Sequence, residues 1–568
     1  MSVQWESSST VCDHGSPSHP FLSTPHDVEK QAIPAAPAYP GSGTLQDPFI
    51  VEWDLHDAED PLNFNNSKKW IITSQARLIP LAFCTWTVSF SSSVYSGGLE
   101  YMARDLRISD NVAILGLSLY VIGFALGPLM FAPLGEIYGR RPVFWATLTA
   151  FTIFQLEGCL ARGNIYALLS CRLLTGIFGS SPLVNAPAQI SDIWNERERG
   201  LASAVYSGMP FLGPIIGPIV GGYVVSSHLG WTFNFWLMFI FAALSLLSGA
   251  LFTPETASQI PFLSLRLSYA PVLLRRRAAK LVRASDGLHY VSIHDRDRPK
   301  CISQVMFTSF SRPFVFLVTE PIVLCVAIYI SIVYGTLYAF FAVFPVVFQQ
   351  HRNFTSAQGG LAFIGIGVGI VLGLASTPIQ NRIYWRAMKE SDSGRAAPEA
   401  RLHQAMVGGL LIPIGLFSFA FSASPSVHWL VPIVCSSLFG TGIAQILQSL
   451  TSYLMDTYQL YFASAVASTI VLRSMCAAFL PQVVPVMFSR LGDEAAMSIF
   501  GVLGLACTPI PFLFWACRSC LSPKYGRWLR SKSSVAFHES SLDLCSQITT
   551  RCETMSEKDV EYIASTSL

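Results

Sequence analysis

Long apolar runs alternate with short polar segments along most of this chain. Each run holds roughly 20 apolar residues, the length that an α-helix needs to cross the hydrocarbon core of a bilayer. Six runs occupy the first half, at residues 77–97, 113–134, 142–161, 166–189, 201–225 and 232–253. Six more follow, at 318–348, 357–378, 406–423, 428–454, 460–488 and 495–516. We number them spans 1 to 12. The pattern predicts an all-α membrane protein with twelve transmembrane helices in two six-helix bundles.

Polar segments divide the chain into five predicted regions. An N-terminal tail rich in Ser, Pro and Gly is expected to be largely disordered, especially over residues 1–50. Two sets of six spans around a basic central loop form an internal repeat, which predicts pseudo-symmetric bundles. The regions are the tail (1–75), the first bundle (76–253), the central loop (254–312), the second bundle (313–516) and a polar C-terminal tail (517–568).

Positive charges concentrate in the loops on one side of the predicted bundle. The loops after spans 2, 4, 6 and 8 hold roughly nineteen Lys and Arg, whereas the opposite loops hold about five. Because cytoplasmic loops are enriched in these residues, both termini are predicted to be cytoplasmic. The sequon at Asn353 follows span 7 and would face outward, so we expect a glycoprotein modified there. The sequon at Asn65 would face the cytosol and stay unmodified.

Composition narrows the function classes. Only 13% of the 568 residues are charged, about half the fraction of a soluble protein, and the mean hydropathy is +0.45. A net charge of +2 gives no electrostatic case for nucleic-acid binding. The sequence has no phosphate-binding P-loop and no histidine cluster within a span, and twelve runs exclude a seven-helix receptor. We therefore predict a transporter rather than an enzyme, with no cofactor and no metal.

The connection between spans 2 and 3 packs three charges into a very short segment. Residues 132–143 read APLGEIYGRRPV, and glycines there permit a tight turn between two membrane helices. The segment resembles the loop G-x-L-a-D-r-x-G-r-k of the major facilitator superfamily, with Ala132 in place of the first glycine and Glu136 in place of the aspartate. The resemblance implies a cytoplasmic gating loop made of Gly135, Glu136, Gly139, Arg140 and Arg141.

Span 4 contains an arginine inside its apolar run. Arg172 lies in the segment LLSCRLLTG at 168–176. An arginine in a membrane helix costs roughly 2.5–3.5 kcal/mol on insertion scales and usually faces an interior cavity. Its spacing to Gly176 resembles the superfamily motif R-x-x-q-G, with Thr175 in place of the glutamine, and this implies a role in proton coupling. The alternative is a structural arginine bound by neighbouring carbonyls.

Span 5 carries glycines at every fourth position. This spacing places them on one helix face, where they permit close backbone approach, and the prolines between them should bend the helix. The segment resembles the antiporter motif G-x-x-x-G-P-x-x-G-G, which is associated with exporters. Helix packing alone is the alternative explanation. The motif residues are Gly213, Pro214, Gly217, Pro218, Gly221 and Gly222.

Further segments resemble the fungal twelve-span drug:proton antiporters of this superfamily. They include DIW at 192–194, EPIV at 320–323 and LRS at 472–474, and the resemblance extends from about residue 50 to 530. It implies a monomeric, proton-coupled exporter of amphipathic drugs, toxins or secondary metabolites that works by alternating access. The plasma membrane is the expected location, with the vacuolar membrane as the alternative. The alternative function is transport of polyamines, sugars or another nutrient.

The resemblance also implies a central substrate pocket between spans 1, 4, 7 and 10. Asn185 in span 4 and Tyr334, Tyr338 and Phe341 in span 7 are the candidate contacts. The alternative for the three aromatic residues is that they face lipid.

Overall fold

Helices account for nearly all of the residues that the structure describes. The structure is a computed structural model. It describes residues 39–44, 47–53, 78–137, 140–161, 163–193, 196–252, 270–285, 288–293, 302–391, 396–458 and 462–516.

Seven helices form the described part of the first half. They are α1 (Leu78–Ser93), α2 (Leu99–Leu106), α3 (Asp110–Ile137), α4 (Arg140–Leu160), α5 (Ile165–Ile193), α6 (Glu196–Ser226) and α7 (Phe233–Phe252). A 3-10 turn at Val94–Gly98 joins α1 to α2. Span 1 is therefore α1 continued by this turn, and spans 2 to 6 are α3 to α7 in order.

The second half is more interrupted, because several of its spans consist of two or three helical pieces. After α8 (Ala270–Ala284) and α9 (Ile302–Thr319), Pro321 begins a new helix, as is common for proline at the first helical position. Span 7 is α10 and a π-helical turn, span 8 is α11 to α13, spans 9 to 11 are α14 to α16, and span 12 is α17 and α18. Their bounds are α10 (Pro321–Phe344), the π-helical turn (Pro345–Gln350), α11 (Ser356–Leu361), α12 (Ile364–Ala375), α13 (Thr377–Glu390), α14 (His403–Ser422), α15 (Leu430–Thr457), α16 (Phe462–Leu491), α17 (Asp493–Cys507) and α18 (Pro509–Ala516).

Nine helical stretches in the described residues are long and apolar enough to cross a membrane. They coincide with spans 2, 3, 5 and 7 to 12. The other three predicted spans are α1, whose described part has 16 residues, α5, which carries Arg172, and α7, whose apolar part is the shorter Phe233–Ser248. The helices are therefore consistent with twelve spans in two bundles.

A small unit outside the bundles joins the N-terminal tail to the central loop. Strand β1 (Phe49–Val51) pairs in parallel with β2 (Tyr290–Ser292). Val51, Leu274 and Ala278 form its buried core, so the apolar face of α8 covers the strands. The expectation of disorder is therefore wrong for the part of the tail that the structure describes. Its few apolar residues find a partner in an amphipathic helix that lies more than two hundred residues later in the chain.

Three glycines on one face of α6 pack against the end of α1. A Cβ atom added at Gly213 would lie 2.6 Å from Ser89 Cβ, and one at Gly217 would lie 2.6 Å from the backbone nitrogen of Val94. Gly221 faces the carbonyl oxygen of Val94 in the same way. The prediction that these glycines line one face and permit close backbone approach is therefore confirmed. The helix continues through its three internal prolines.

We expect Gly217→Ala to destabilise the protein, because the added methyl group would meet the hydroxyl of Ser93 and the backbone at Val94. Overpacking of this kind costs about 1–3 kcal/mol of unfolding free energy. The loss should appear as a lower Tm of the detergent-solubilised protein. Gly158→Ala is the matched control, because its Cβ would lie 3.6 Å from the Phe235 ring, an ordinary contact. Equal Tm values for the two variants would contradict the packing argument.

Candidate substrate and coupling site

The guanidinium of Arg172 is held by backbone carbonyls of two other helices. Arg172 is only 2% exposed. Its Nε donates to the Gly116 carbonyl at 3.2 Å, Nη1 donates to the Ser91 carbonyl at 2.8 Å, and Nη2 donates to the Ser92 carbonyl at 3.2 Å. The two serine carbonyls lie in the last turn of α1, where the regular intrahelical partners run out. Arg172 therefore ties α5 to both α1 and α3.

Two tyrosine rings lie against the same guanidinium. Its Cζ is 4.6 Å from the ring centroid of Tyr95 and 4.3 Å from that of Tyr120, distances typical of cation–π contacts. Both rings are fixed in turn, because Tyr95 donates to the Ala113 carbonyl at 2.8 Å and Tyr120 to the Val88 carbonyl at 2.9 Å. Within the described part of the chain, Arg172 makes no ion pair. This is the geometry expected of the structural alternative, and the coupling role stays a prediction.

A hydrogen bond at the centre of the protein joins the two halves. Ser92 Oγ lies 3.0 Å from the hydroxyl of Tyr338 in α10. The backbone carbonyl of the same Ser92 binds Arg172, so a single residue connects the arginine of the first bundle to span 7. A second hydrogen bond between the halves runs from Ser118 Oγ to the carbonyl of Ala478 at 2.6 Å. Polar side chains from both halves therefore meet in the interior.

The aromatic residues predicted for the substrate pocket are buried inside the protein. Tyr334, Tyr338 and Phe341 all belong to the buried core, which excludes the lipid-facing alternative. The rings of Tyr338 and Phe341 lie 5.1 Å apart, and the Tyr334 hydroxyl donates to that of Tyr338 at 3.4 Å. The side chain of Asn185 lies outside the described residues. Contact of these residues with substrate stays a prediction.

Sequence reasoning missed a second arginine in this region. The Cζ of Arg473, in α16, lies 4.9 Å from the ring centroid of Tyr334. The signal was available, because a charged residue inside an apolar span usually faces the interior and usually has a function. The segment at 472–474 was used only as part of a family resemblance. The structure places Arg473 beside the predicted pocket aromatics.

The span-5 motif also contacts the second half of the protein. A Cβ added at Gly222 would meet the carbonyl oxygen of Ser356, and one added at Gly360 would lie 2.5 Å from the carbonyl oxygen of Pro218. Helix α6 therefore packs on α1 with one glycine face and on α11 with another. A role of the motif in export stays a prediction, but its residues lie at the boundary between the halves.

The predicted gating loop is as short as its sequence indicated. Helix α3 ends at Ile137 and α4 begins at Arg140. Gly135 is buried in the last turns of α3. The rest of the predicted set, namely Gly139 and the side chains of Glu136, Arg140 and Arg141, lies outside the described residues.

The start of this loop segment contacts the second bundle. Ala132 packs against a cluster of buried apolar side chains at the end of α15 and the beginning of α16. That cluster consists of Met455, Phe462, Val466 and Ile470. The gate itself stays a prediction, and Ala132 shows that this end of α3 contacts the opposite half.

A buried carboxyl lies immediately before the first residue of α10, Pro321. Glu320 is 7% exposed, and its Oε2 accepts a hydrogen bond from the Tyr458 hydroxyl at 2.9 Å. Burial raises the pKa of the Glu320 carboxyl, and the hydrogen bond from Tyr458 opposes part of that rise. No basic side chain pairs with Glu320 among the residues described. Glu320 is therefore a candidate proton-exchanging group that sequence reasoning did not single out.

A buried ion pair lies in the second bundle. Nε of Arg401 donates to Oδ2 of Asp456 at 2.8 Å, and both side chains are buried. The Arg401 guanidinium also lies 3.5 Å from the ring centroid of Tyr384. This pair joins the turn before α14 to the end of α15. Its two charges therefore neutralise each other within the protein.

Comparisons with known proteins agree with this architecture. The family model described as the Major Facilitator Superfamily matches residues 81–481. The chain is 41% identical over 517 residues to the efflux pump FUB11 of Gibberella moniliformis, covering 91% of this chain and 82% of that protein. It is 39% identical over 526 residues to the major facilitator-type transporter sorT of Penicillium rubens, covering 92% and 95%.

A solved structure shares the fold. The proton:xylose symporter XylE of E. coli superposes with a TM-score of 0.57 at 15% identity, covering 80% of this chain and 97% of that one. At this identity the likeness concerns the fold alone. Together with the family match over most of the chain, it gives the assignment: this protein belongs to the Major Facilitator Superfamily.

Proposed function

We propose that this protein is a proton-coupled exporter of small amphipathic organic compounds such as drugs, toxins or secondary metabolites. The observation that carries the proposal is the buried contact of polar and aromatic side chains from both halves at the centre, around Ser92 and Tyr338. Relatives that cover most of this chain are named efflux pumps, which favours export over uptake of a nutrient. We place the protein in the plasma membrane as a monomer.

Alternating access follows from where the halves touch. The glycine contacts between α6 and α11 lie at the predicted outer end, and the Ala132 cluster lies at the predicted inner end. Opening the centre to one side requires one of these contacts to separate while the other is kept. One charge moving across 100 mV is worth about 2.3 kcal/mol, which is enough to concentrate a substrate about fiftyfold.

Efflux from preloaded cells tests the proposal. The protein would be produced in a yeast strain that lacks its own drug exporters, and loss of a panel of fluorescent drugs and labelled polyamines would be followed. We expect faster loss of one or more amphipathic drugs, abolished by a protonophore. Net uptake of the transported compound, or efflux that the protonophore does not affect, would overturn the proposal.

We expect Glu320→Gln to abolish the pH response of transport, because an amide of nearly the same shape cannot ionise. Downhill exchange at a fixed pH should persist. Tyr458→Phe removes the hydrogen bond that stabilises the carboxylate, so the pKa of Glu320 should rise and the midpoint of the pH profile should move to higher pH. Transport in proteoliposomes across a series of pH values measures both effects. A wild-type pH profile in Glu320→Gln would exclude Glu320 as the proton-carrying group.

We expect Arg172→Ala to abolish uphill efflux while leaving some downhill exchange. Arg172→Lys keeps the charge, but a single ammonium cannot reach three carbonyls in the way the planar fork does. The rate of uphill efflux by Arg172→Lys should fall by about tenfold or more, because roughly one hydrogen bond from a charged donor is lost. Uphill and downhill rates measured in the same proteoliposomes separate coupling from folding. If both rates fall in parallel with Tm, Arg172 is structural only.

We expect Asn353 to carry a glycan and both termini to face the cytosol. Asn353 is exposed in the short turn between the π-helical turn of span 7 and α11. A glycosidase should increase the gel mobility of the wild-type protein and leave Asn353→Gln unchanged. Protease protection of terminal tags in sealed vesicles provides the independent control. A glycosidase shift that persists in Asn353→Gln would refute this topology.

A further inference from the structure

Arg473, a half-buried arginine in α16, differs from Arg172 and Arg401 in the partners of its guanidinium. Arg172 donates to carbonyls, and Arg401 pairs with Asp456. The Nε atom of Arg473 is buried and has no hydrogen-bond partner among the described residues. The guanidinium lies over the ring face of Tyr334, with its Cζ 4.9 Å from the ring centroid.

An arginine in this position is costly unless an anion accompanies it. Charged residues within membrane spans are unfavourable, and a buried charge is retained where it is paired or used. The buried carboxyls of the described chain already have partners, since Glu320 binds Tyr458 at the end of α15 and Asp456 pairs with Arg401. Neither carboxyl is therefore available to Arg473, whose side chain is half-buried.

The backbone fixes Arg473 against the aromatic residues. Gly335 lets α10 and α16 approach closely, because a Cβ there would lie 2.6 Å from Leu480 Cδ1. Tyr334 is thereby held under the guanidinium, and its hydroxyl donates to Tyr338 at 3.4 Å. Phe341 continues the aromatic surface on the same helix. A cation whose Nε has no acceptor among the described residues thus lies beside this aromatic surface.

The geometry points to a ligand that is acidic at one end and aromatic at the other. We infer that Arg473 binds the carboxylate of the transported molecule, and that the substrates of this protein include aromatic carboxylic acids in their anionic form. The guanidinium matches a carboxylate bidentately, and the Tyr334–Tyr338 wall accepts the ring. This inference rests on the proposed export function and adds the chemical class of the substrate.

Two matched probes test the inference. 2-Naphthoate and 2-naphthamide share the same aromatic body, but only the first carries a charge. Binding would be measured on purified, detergent-solubilised protein by equilibrium dialysis, and transport in proteoliposomes with an imposed proton gradient. We expect wild-type protein to bind naphthoate at least about tenfold more tightly than naphthamide, because hydrogen bonds to charged groups are the strong ones.

The variants separate recognition from folding. Arg473→Gln should weaken naphthoate binding about tenfold or more and leave naphthamide within about twofold. The naphthoate affinity of Arg473→Lys should lie between those of the wild type and Arg473→Gln, because lysine keeps the charge and loses the planar pair of donors. Arg352→Gln is the matched control, since the Nη atoms of Arg352 already donate to the carbonyls of Val427 and Ser424. Arg352→Gln should change the affinities for the two probes by the same factor. If Arg473→Gln does not fold, the ratio of the naphthoate and naphthamide affinities of Arg473→Lys tests the inference instead.

Several results would overturn the inference. They are equal binding of the two probes by the wild-type protein, binding of neither, or equal loss of both probes in a folded Arg473 variant. Transport distinguishes this failure from failure of export. Gradient-driven movement of naphthamide without any preference for naphthoate would refute the subsite and keep the exporter. Arginine-dependent binding of naphthoate without its gradient-driven transport would keep the carboxylate subsite and refute aromatic carboxylic acids as exported substrates.

Discussion

The hydrogen bonds from Arg172 to the end of α1 constrain the centre of this protein. They hold the backbone at Ser91 and Ser92 in place, and the side chain of Ser92 then reaches Tyr338 in the other half. A change in the position of α5 is therefore passed through backbone carbonyls to the contact between the halves. The charge of Arg172 is satisfied by fixed carbonyl dipoles and ring faces, so it does not require a mobile acid nearby.

Arg172 and Arg473 use their hydrogen-bond donors differently. Each nitrogen of the Arg172 guanidinium donates within the protein, which suits a positioning residue. The Nε of Arg473, beside the Tyr334 ring, has no acceptor among the described residues, which suits contact with a ligand. Between them lie Tyr338 and Ser92. The centre thus combines one saturated charge and one available charge, separated by hydroxyl groups that can exchange partners when a substrate enters.

The architecture was predictable to the extent that it depends on local pattern. The length and apolarity of the runs located the membrane helices, and the recurrence of glycine at every fourth residue located the face of α6 that meets α1. Pairing between distant residues was not predictable, because a sequence gives no distances. Glu320 and Tyr458 are 138 positions apart, and Arg473 became a candidate only when its place beside Tyr334 was known. The β1–β2 pairing was missed for the same reason, since two three-residue strands carry almost no periodic signal.

Backbone meets backbone at two points of the boundary between α6 and α11. Gly222 and Gly360 make these contacts, so at these two positions no side chain has to leave a hole in the facing helix when the halves part. Interdigitated side chains must change rotamer before they separate, and each such change adds to the barrier. The glycine contacts avoid that requirement. The rate at which they separate should therefore be limited by the approach of lipid and water to the exposed backbone rather than by rotamer changes of side chains.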